Sequence, residues 1–236
     1  MHNLIKVEFY KLKKFQFGYI AMLFMFVVGY LYGDNRIGNT VFDITDNTAT
    51  AFSYSVSDTS FVFFISIITA LFIGKDFSNR TICNEIKLGH SRFHILLSRT
   101  IMACSFAVLL HLIYILSTIV GFSVIRGFDA SLFRMENVCW LLTVLLQLIA
   151  VTSGVVLISF MTKKVSEAIA VSALYTVICC NILRNFISPQ IYSLSCFCFV
   201  RNSSPEDLAF ASISAFGTII VFLTIAAGTF NKAEVR

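Results

Sequence analysis

The chain has 236 residues, of which 57% are hydrophobic and only 13% charged, with a formal net charge of +5. Ordinary soluble domains are roughly 45–50% apolar and about 25% charged, and a bilayer-crossing helix uses about 20 apolar residues, so the chain has material for about six spans and little else. Two prolines, eleven glycines and no Ser/Gly-rich or Pro-rich run exclude a long flexible linker, and a separate soluble enzyme domain is excluded with it.

In chain order, residues 1–16 are too polar to cross. On a helical wheel Leu4, Ile5, Phe9, Leu12 and Phe15 fall on one side and Lys6, Lys11, Lys13 and Lys14 on the other. This pattern predicts a helix lying flat at the membrane interface with its lysines at anionic headgroups. Glu8 breaks the pattern by projecting from the apolar side. It either takes a basic partner from residues 75–99 or sits at the rim of the face, in water.

Apolar runs then predict spans at 17–33, 58–73, 100–125, 137–161, 167–187 and 207–230, separated by a polar segment 34–57, a charged segment 74–99, a turn 126–136, a short link 162–166 and a mixed segment 188–206. Ser204, Pro205, Glu206 and Asp207 form an N-cap, a first-turn proline and first-turn acids, which start the sixth span. With this division, thirteen of the 18 Lys and Arg residues but only five of the 13 acids fall on the side that holds the N-terminus. Basic residues are retained on the cytoplasmic side, so both termini are expected there. The positive charge thus reports topology, and no basic, aromatic-interleaved surface for a nucleic acid appears.

Segment 74–99 is the most informative stretch. Ser78 or Asn79 is placed to cap a short helix, Ile82, Ile86 and Leu88 give it an apolar face, and Gly89 ends it through a left-handed turn. A short helix held beneath the membrane between two spans has the geometry of a coupling element.

The same stretch resembles the membrane subunit of type-2 ABC exporters. In that family a phrase gly-x-acid-phe/tyr-x-x-x-thr, followed by gly-x-ser-arg, links the second and third spans. Gly74, Asp76, Phe77 and Thr81 match the first part, and Gly89, Ser91 and Arg92 the second, with Arg80, Ile82, Glu85 and Ile86 between them. The resemblance extends to an amphipathic elbow helix carrying Glu8 and Lys11. It implies an all-α membrane protein with six transmembrane helices, an N-terminal elbow helix and a short cytoplasmic coupling helix. It also implies a separate ABC ATPase subunit that receives that helix, and a second permease subunit, either another copy or a sister chain. No G-x-x-x-x-G-K-[ST] phosphate loop occurs in the sequence, in keeping with ATP chemistry on another chain.

Within the spans, His111 is a candidate for substrate contact or proton relay, or a neutral side chain hydrogen-bonded to a nearby Ser or Thr. Gln147 and Asn181 either line a cavity or join helices. Segment 188–206 is too apolar for a free loop and too short to cross. It is read as re-entrant from the outer side, with Tyr192, Phe197 and Phe199 as an outer gate or an interfacial anchor. His90 and His94 lack the glutamate of H-E-x-x-H, and the seven cysteines show no disulfide framework, so neither a metal site nor a cofactor is expected.

The functional reading is a permease subunit of an ATP-driven exporter in a bacterial plasma membrane, not itself an enzyme, moving a hydrophobic or amphipathic compound. Its compact size resembles permeases that protect against antimicrobial peptides, including lantibiotic and bacitracin-type systems. The alternative is a non-transporting membrane scaffold or sensor subunit.

Overall fold

Inside a bilayer no water is available to satisfy backbone groups, so each long apolar run must bond to itself as a helix. A computed structural model describes residues 2–34, 42, 46–186, 195–199 and 205–232, and among these residues there is no strand. The helices are α1 (His2–Lys14), α2 (Gln16–Gly33), α3 (Thr48–Ser57), α4 (Thr59–Ser78), α5 (Thr81–Lys87), α6 (Arg92–Arg126), α7 (Met135–Thr162), α8 (Val165–Val177), α9 (Leu183–Phe186) and α10 (Pro205–Lys232). Among the described residues six helical stretches are long and apolar enough to cross a membrane: α2, α4, α6, α7, α8 with the turn that follows it, and α10.

The helix ends differ from the expected ones where charge was taken to end a span. α4 runs on to Ser78 and α6 begins at Arg92, so half of segment 74–99 is helix continuous with the spans, and the other half holds α5 with its two turns. Neither Ser78 nor Asn79 caps α5. Asn79 closes α4 instead, and the chain reverses through Arg80 in the left-handed conformation (φ 53°). Gly89 (φ 87°) ends the connection as expected, in a region where only glycine is unstrained.

Polar segment 34–57 contains a helix that its Ser/Thr content concealed. Asn47 caps α3 by accepting from the Thr50 amide at 2.9 Å, and Ala51, Phe52, Ser55 and Val56 form a buried stripe. Phe52 meets Trp140 of α7 edge-on, with ring centroids 5.9 Å apart. Asp58 is not part of the second span but its cap, accepting from the Ser60 amide at 3.0 Å and from the Tyr114 hydroxyl of α6 at 3.1 Å. The fifth span is not one α-helix either: a π-helical turn, Ile178–Ile182, separates α8 from α9.

α6 is the central element and touches α1 to α5, α7 and α10. Its tightest seam is with α2, where backbones approach without side chains between them. A Cβ on Gly33 would lie 2.1 Å from the Thr118 carbonyl oxygen, and one on Gly121 would lie 2.3 Å from the Tyr30 carbonyl oxygen. Gly29 and Gly33, one helical turn apart, form the small-xxx-small spacing that lets membrane helices pack closely. The pairs Ala168/Ser172 and Ala150/Gly154 are likewise buried within the subunit, Ala168 against Ala70 of α4 and Ala150 against Ala215 of α10. Across α4 and α8, the Thr176 hydroxyl donates to Ser66 Oγ at 2.9 Å.

Valine at Gly33 or Gly121 is expected to destabilise the protein by about 1–3 kcal/mol, because neither backbone neighbour has room to yield. Thermal unfolding of the detergent-purified chain checks this. Gly217→Ala, where a Cβ meets nothing within 4 Å, should leave the midpoint unchanged or slightly raised.

Candidate functional site

Where α1, the last turn of α4, α5 and the start of α6 converge, five charged side chains are drawn together. Glu8 and Lys11 stand three residues apart on one face of α1, Asp76 is in the final turn of α4, Glu85 is in α5, and Arg99 lies two turns into α6. The hydrophobic effect seats them there: Leu4 of α1, Phe15 at the α1–α2 junction, Ile73 of α4, Ile82 of α5 and Ile95 of α6 are all buried.

Arg99 is the hub. Its side chain is completely buried, as is that of Glu8, whereas Lys11 retains 23% exposure. Nη1 donates to Glu8 Oε1, Nη2 donates to both Glu85 oxygens at 2.9 and 3.0 Å, and Nε lies 2.6 Å from Asp76 Oδ2. Lys11 Nζ completes the cluster at 2.8 Å from Glu8, 3.3 Å from Asp76 and 3.4 Å from Glu85. One guanidinium therefore ties three separate helices to α6, and a second cation braces the same three carboxylates.

With every group ionised the cluster holds three negative and two positive charges. Among the described residues Glu8 Oε2 is buried without a hydrogen-bond partner, as is Asp76 Oδ2, which still lies beside Arg99. Burial pushes the Glu8 carboxyl above its ordinary value of 4.5; Arg99 opposes this, Asp76 adds to it, and Lys11 opposes it. An isolated buried charge of this kind is costly, and paired charges become tolerable only when their remaining oxygens and protons are satisfied.

The partner expected for Glu8 from residues 75–99 is thus Arg99, the last of them. Sequence reading counted Arg99 only as one more basic residue at a membrane edge. Lys11, expected to face headgroups, turns inward because three carboxylates attract it. Of the other coupling positions, Ile82 is fully buried and Ile86 packs against the same core. Gly74 backs onto Val165 of α8, and Phe77 meets Phe160 of α7 edge-on at 5.2 Å. Arg80 is exposed and Thr81 half-buried. Ser91 caps α6, accepting from the His94 amide at 3.3 Å. Arg92 stands apart from the cluster and donates to the Phe230 and Asn231 carbonyls at 2.8 and 2.9 Å, holding the end of α10.

The intramembrane candidates do not converge on one site. His111 is fully buried, and neither ring nitrogen has a hydrogen-bond partner among the described residues, so the expected Ser or Thr contact is not formed. Gln147 donates to the Cys198 carbonyl at 3.0 Å and so pins residues 195–199 to α7. Asn181 accepts from the Thr59 hydroxyl at 3.2 Å, linking the π turn to the start of α4. Phe199 is buried and Phe197 packs edge-on against Tyr175 at 6.2 Å. Tyr192 and most of segment 188–206 lie outside the described residues.

Compared with known proteins, residues 4–181 match the profile of the ABC-2 family transporter proteins, a stretch that contains the whole charge cluster. No curated protein and no solved structure matches the chain.

Arg99→Met leaves three carboxylates to a single lysine and is expected to cost about 3–5 kcal/mol, with Arg99→Lys costing less, as read by thermal unfolding in detergent. Glu8 contributes a pH dependence of known sign. In the folded state it keeps its proton to higher pH than when unfolded, so its contribution to stability falls as pH rises from 4.5 through its raised value. Glu8→Gln removes that slope. The variant should gain on the wild type as pH climbs through this window; a wild type that gains instead would mean that the two cations dominate burial.

Proposed function

The chain belongs to the ABC-2 family of transporter proteins, and from that premise we propose that it is the permease of an ATP-driven exporter that receives mechanical work through α5. It is a multi-pass transmembrane subunit of an ABC transporter. The observation that carries the coupling assignment is the attachment of α5. Its inner side is fixed by Ile82 and by Glu85 on Arg99, while Arg80, Asn84, Lys87 and Leu88 stay exposed, Leu88 at 78%. A helix of seven residues offers an ATPase subunit a small polar surface with one apolar knob. Its displacement moves the guanidinium that also holds α1 and α4.

Orientation follows from charge: the end of the bundle carrying α1 and α5 holds most of the lysines and arginines, and we assign it to the cytoplasm of a bacterial cell. A second permease subunit, either another copy or a sister chain, completes the pathway. The largely uncovered apolar faces of α2 and α10 are available to it or to lipid. The 25 phenylalanines favour hydrophobic or amphipathic cargo, antimicrobial peptides among them. Buried Phe199 and half-buried Phe197, held by Gln147, are assigned to the outer end of that path.

The assignment is tested by co-purifying the chain with an ATPase encoded beside it and measuring hydrolysis and transport in vesicles. Leu88→Asp combined with Lys87→Glu alters only exposed positions. It should insert and fold normally yet weaken ATPase association by roughly ten-fold or more, the loss typical of removing an interface anchor. Normal coupling in this variant, or transport by the chain with no ATPase present, rejects the reading. A subunit that binds an ATPase but never moves cargo would be a scaffold or sensor.

A further inference from the structure

Beside the charge cluster, α1, the end of α4 and the start of α5 line an open cavity of about 310 Å³ whose wall includes Tyr10, Lys11, Lys14, Phe15, Lys75 and Asn79. Among the described residues two of its three lysines have no anionic partner: neither the Lys14 nor the Lys75 ammonium makes a hydrogen bond or an ion pair. Lys14 Nζ rests 4.7 Å from the centre of the Tyr10 ring, and Lys75 Nζ lies 5.1 and 4.3 Å from the Phe15 and Phe17 rings. The one carboxylate in the wall, Asp76, faces Arg99 at 2.6 Å and Lys11 at 3.3 Å; these two cations also serve Glu8 and Glu85, so the cluster carries at most one excess negative charge against the two ammonium groups of Lys14 and Lys75. The cavity therefore presents uncompensated positive charge against aromatic walls.

Its place in the fold says which anion reaches it. Phe15 and Gln16 line it at the corner where α1 gives way to α2, the point at which the chain passes from an interfacial helix into an apolar span, which is headgroup depth. We propose that this cavity binds the phosphate of an anionic membrane lipid, with Lys14 and Lys75 as the direct cationic contacts and Tyr10, Phe15 and Phe72 flanking the glycerol. Lys11 belongs to both the cavity wall and the charge cluster, so the lipid phosphate competes with Glu8, Asp76 and Glu85 for one ammonium. Lipid composition thereby bears on the junction that holds α5. The site itself requires only that the α1–α2 corner lie at the lipid–water boundary, and it stands apart from the ATPase assignment.

Native mass spectrometry of the delipidated full-length chain, titrated with short-chain phosphatidylglycerol or phosphatidylcholine, tests the proposal. Phosphatidylglycerol should bind roughly 25-fold more tightly, five-fold for each of the two lysines, from ~1 kcal/mol apiece. Lys14→Gln with Lys75→Gln should abolish the preference, Lys14→Arg with Lys75→Arg should restore it, and Lys6→Gln with Lys13→Gln, on exposed positions away from the cavity wall, should preserve it. Equal binding of the two lipids, or an equal loss in the Lys6/Lys13 variant, overturns the site. Displacement of phosphatidylglycerol by inorganic phosphate at the same concentration overturns its assignment to a lipid. None of these readouts involves an ATPase, so failure here is distinguishable from failure of the coupling role.

Discussion

A guanidinium removed from water must be surrounded by acceptors or it unfolds what surrounds it. Arg99 meets that demand with Glu8, Asp76 and Glu85, each from a different helix, and so converts an electrostatic requirement into a mechanical bond among α1, α4, α5 and α6. Apolar packing alone would let these elements slide against each other at little cost. A buried ion cluster does not, because any displacement that parts one carboxylate from Arg99 exposes a bare charge to a medium that cannot solvate it. The short helix α5 is held where it is by this constraint more than by its own length, since seven residues are far too few for a helix to be stable alone.

The two ends of α6 are secured in different ways. Around Arg99 the bond is ionic; farther along, it is steric, through Gly33 and Gly121, and through the Tyr114 hydroxyl on Asp58. At Gly33 and Gly121 the glycine seam sets the backbone of α2 against that of α6 with no side chain to rearrange, so the two helices cannot shift relative to each other without parting. The fifth span behaves otherwise. Its α8 portion is fixed to α4 by Ala168 and Thr176, but the π turn at Ile178–Ile182 breaks the register before the chain reaches α9.

Much of this was legible in the sequence, and the reasons for the rest are specific. Long apolar runs announced the six spans, Gly89 announced a left-handed stop, and Glu8 on an apolar face posed a choice between a basic partner and a rim position in water. Arg99 could not be singled out as that partner, because an arginine that anchors a span at the membrane edge and one that nucleates a buried cluster occupy the same place in a hydropathy profile. Lys11 was misassigned for a related reason: wheel geometry separates lysines from leucines, but only the tertiary positions of Asp76 and Glu85 reveal that one lysine has partners inside. α3 was hidden because Ser and Thr favour loops as readily as they cap and line helices, and burial of Ala51, Phe52 and Val56 decides the matter. The end of α4 was drawn too early and the start of α6 too late, because charge marks where the bilayer ends, not where the helix does.

That last difference has a geometric result. At about 1.5 Å per residue, the 35 residues of α6 form a rod of roughly 50 Å, well beyond the ~30 Å of a hydrocarbon layer. A rod that overhangs its bearing acts as a lever: pivoting it by about 5° around one end sweeps the other through roughly 4 Å. With Arg99 on the overhanging part and the glycine seam toward the opposite end, a small tilt of α6 about the ionic junction would carry the glycine end through most of that distance.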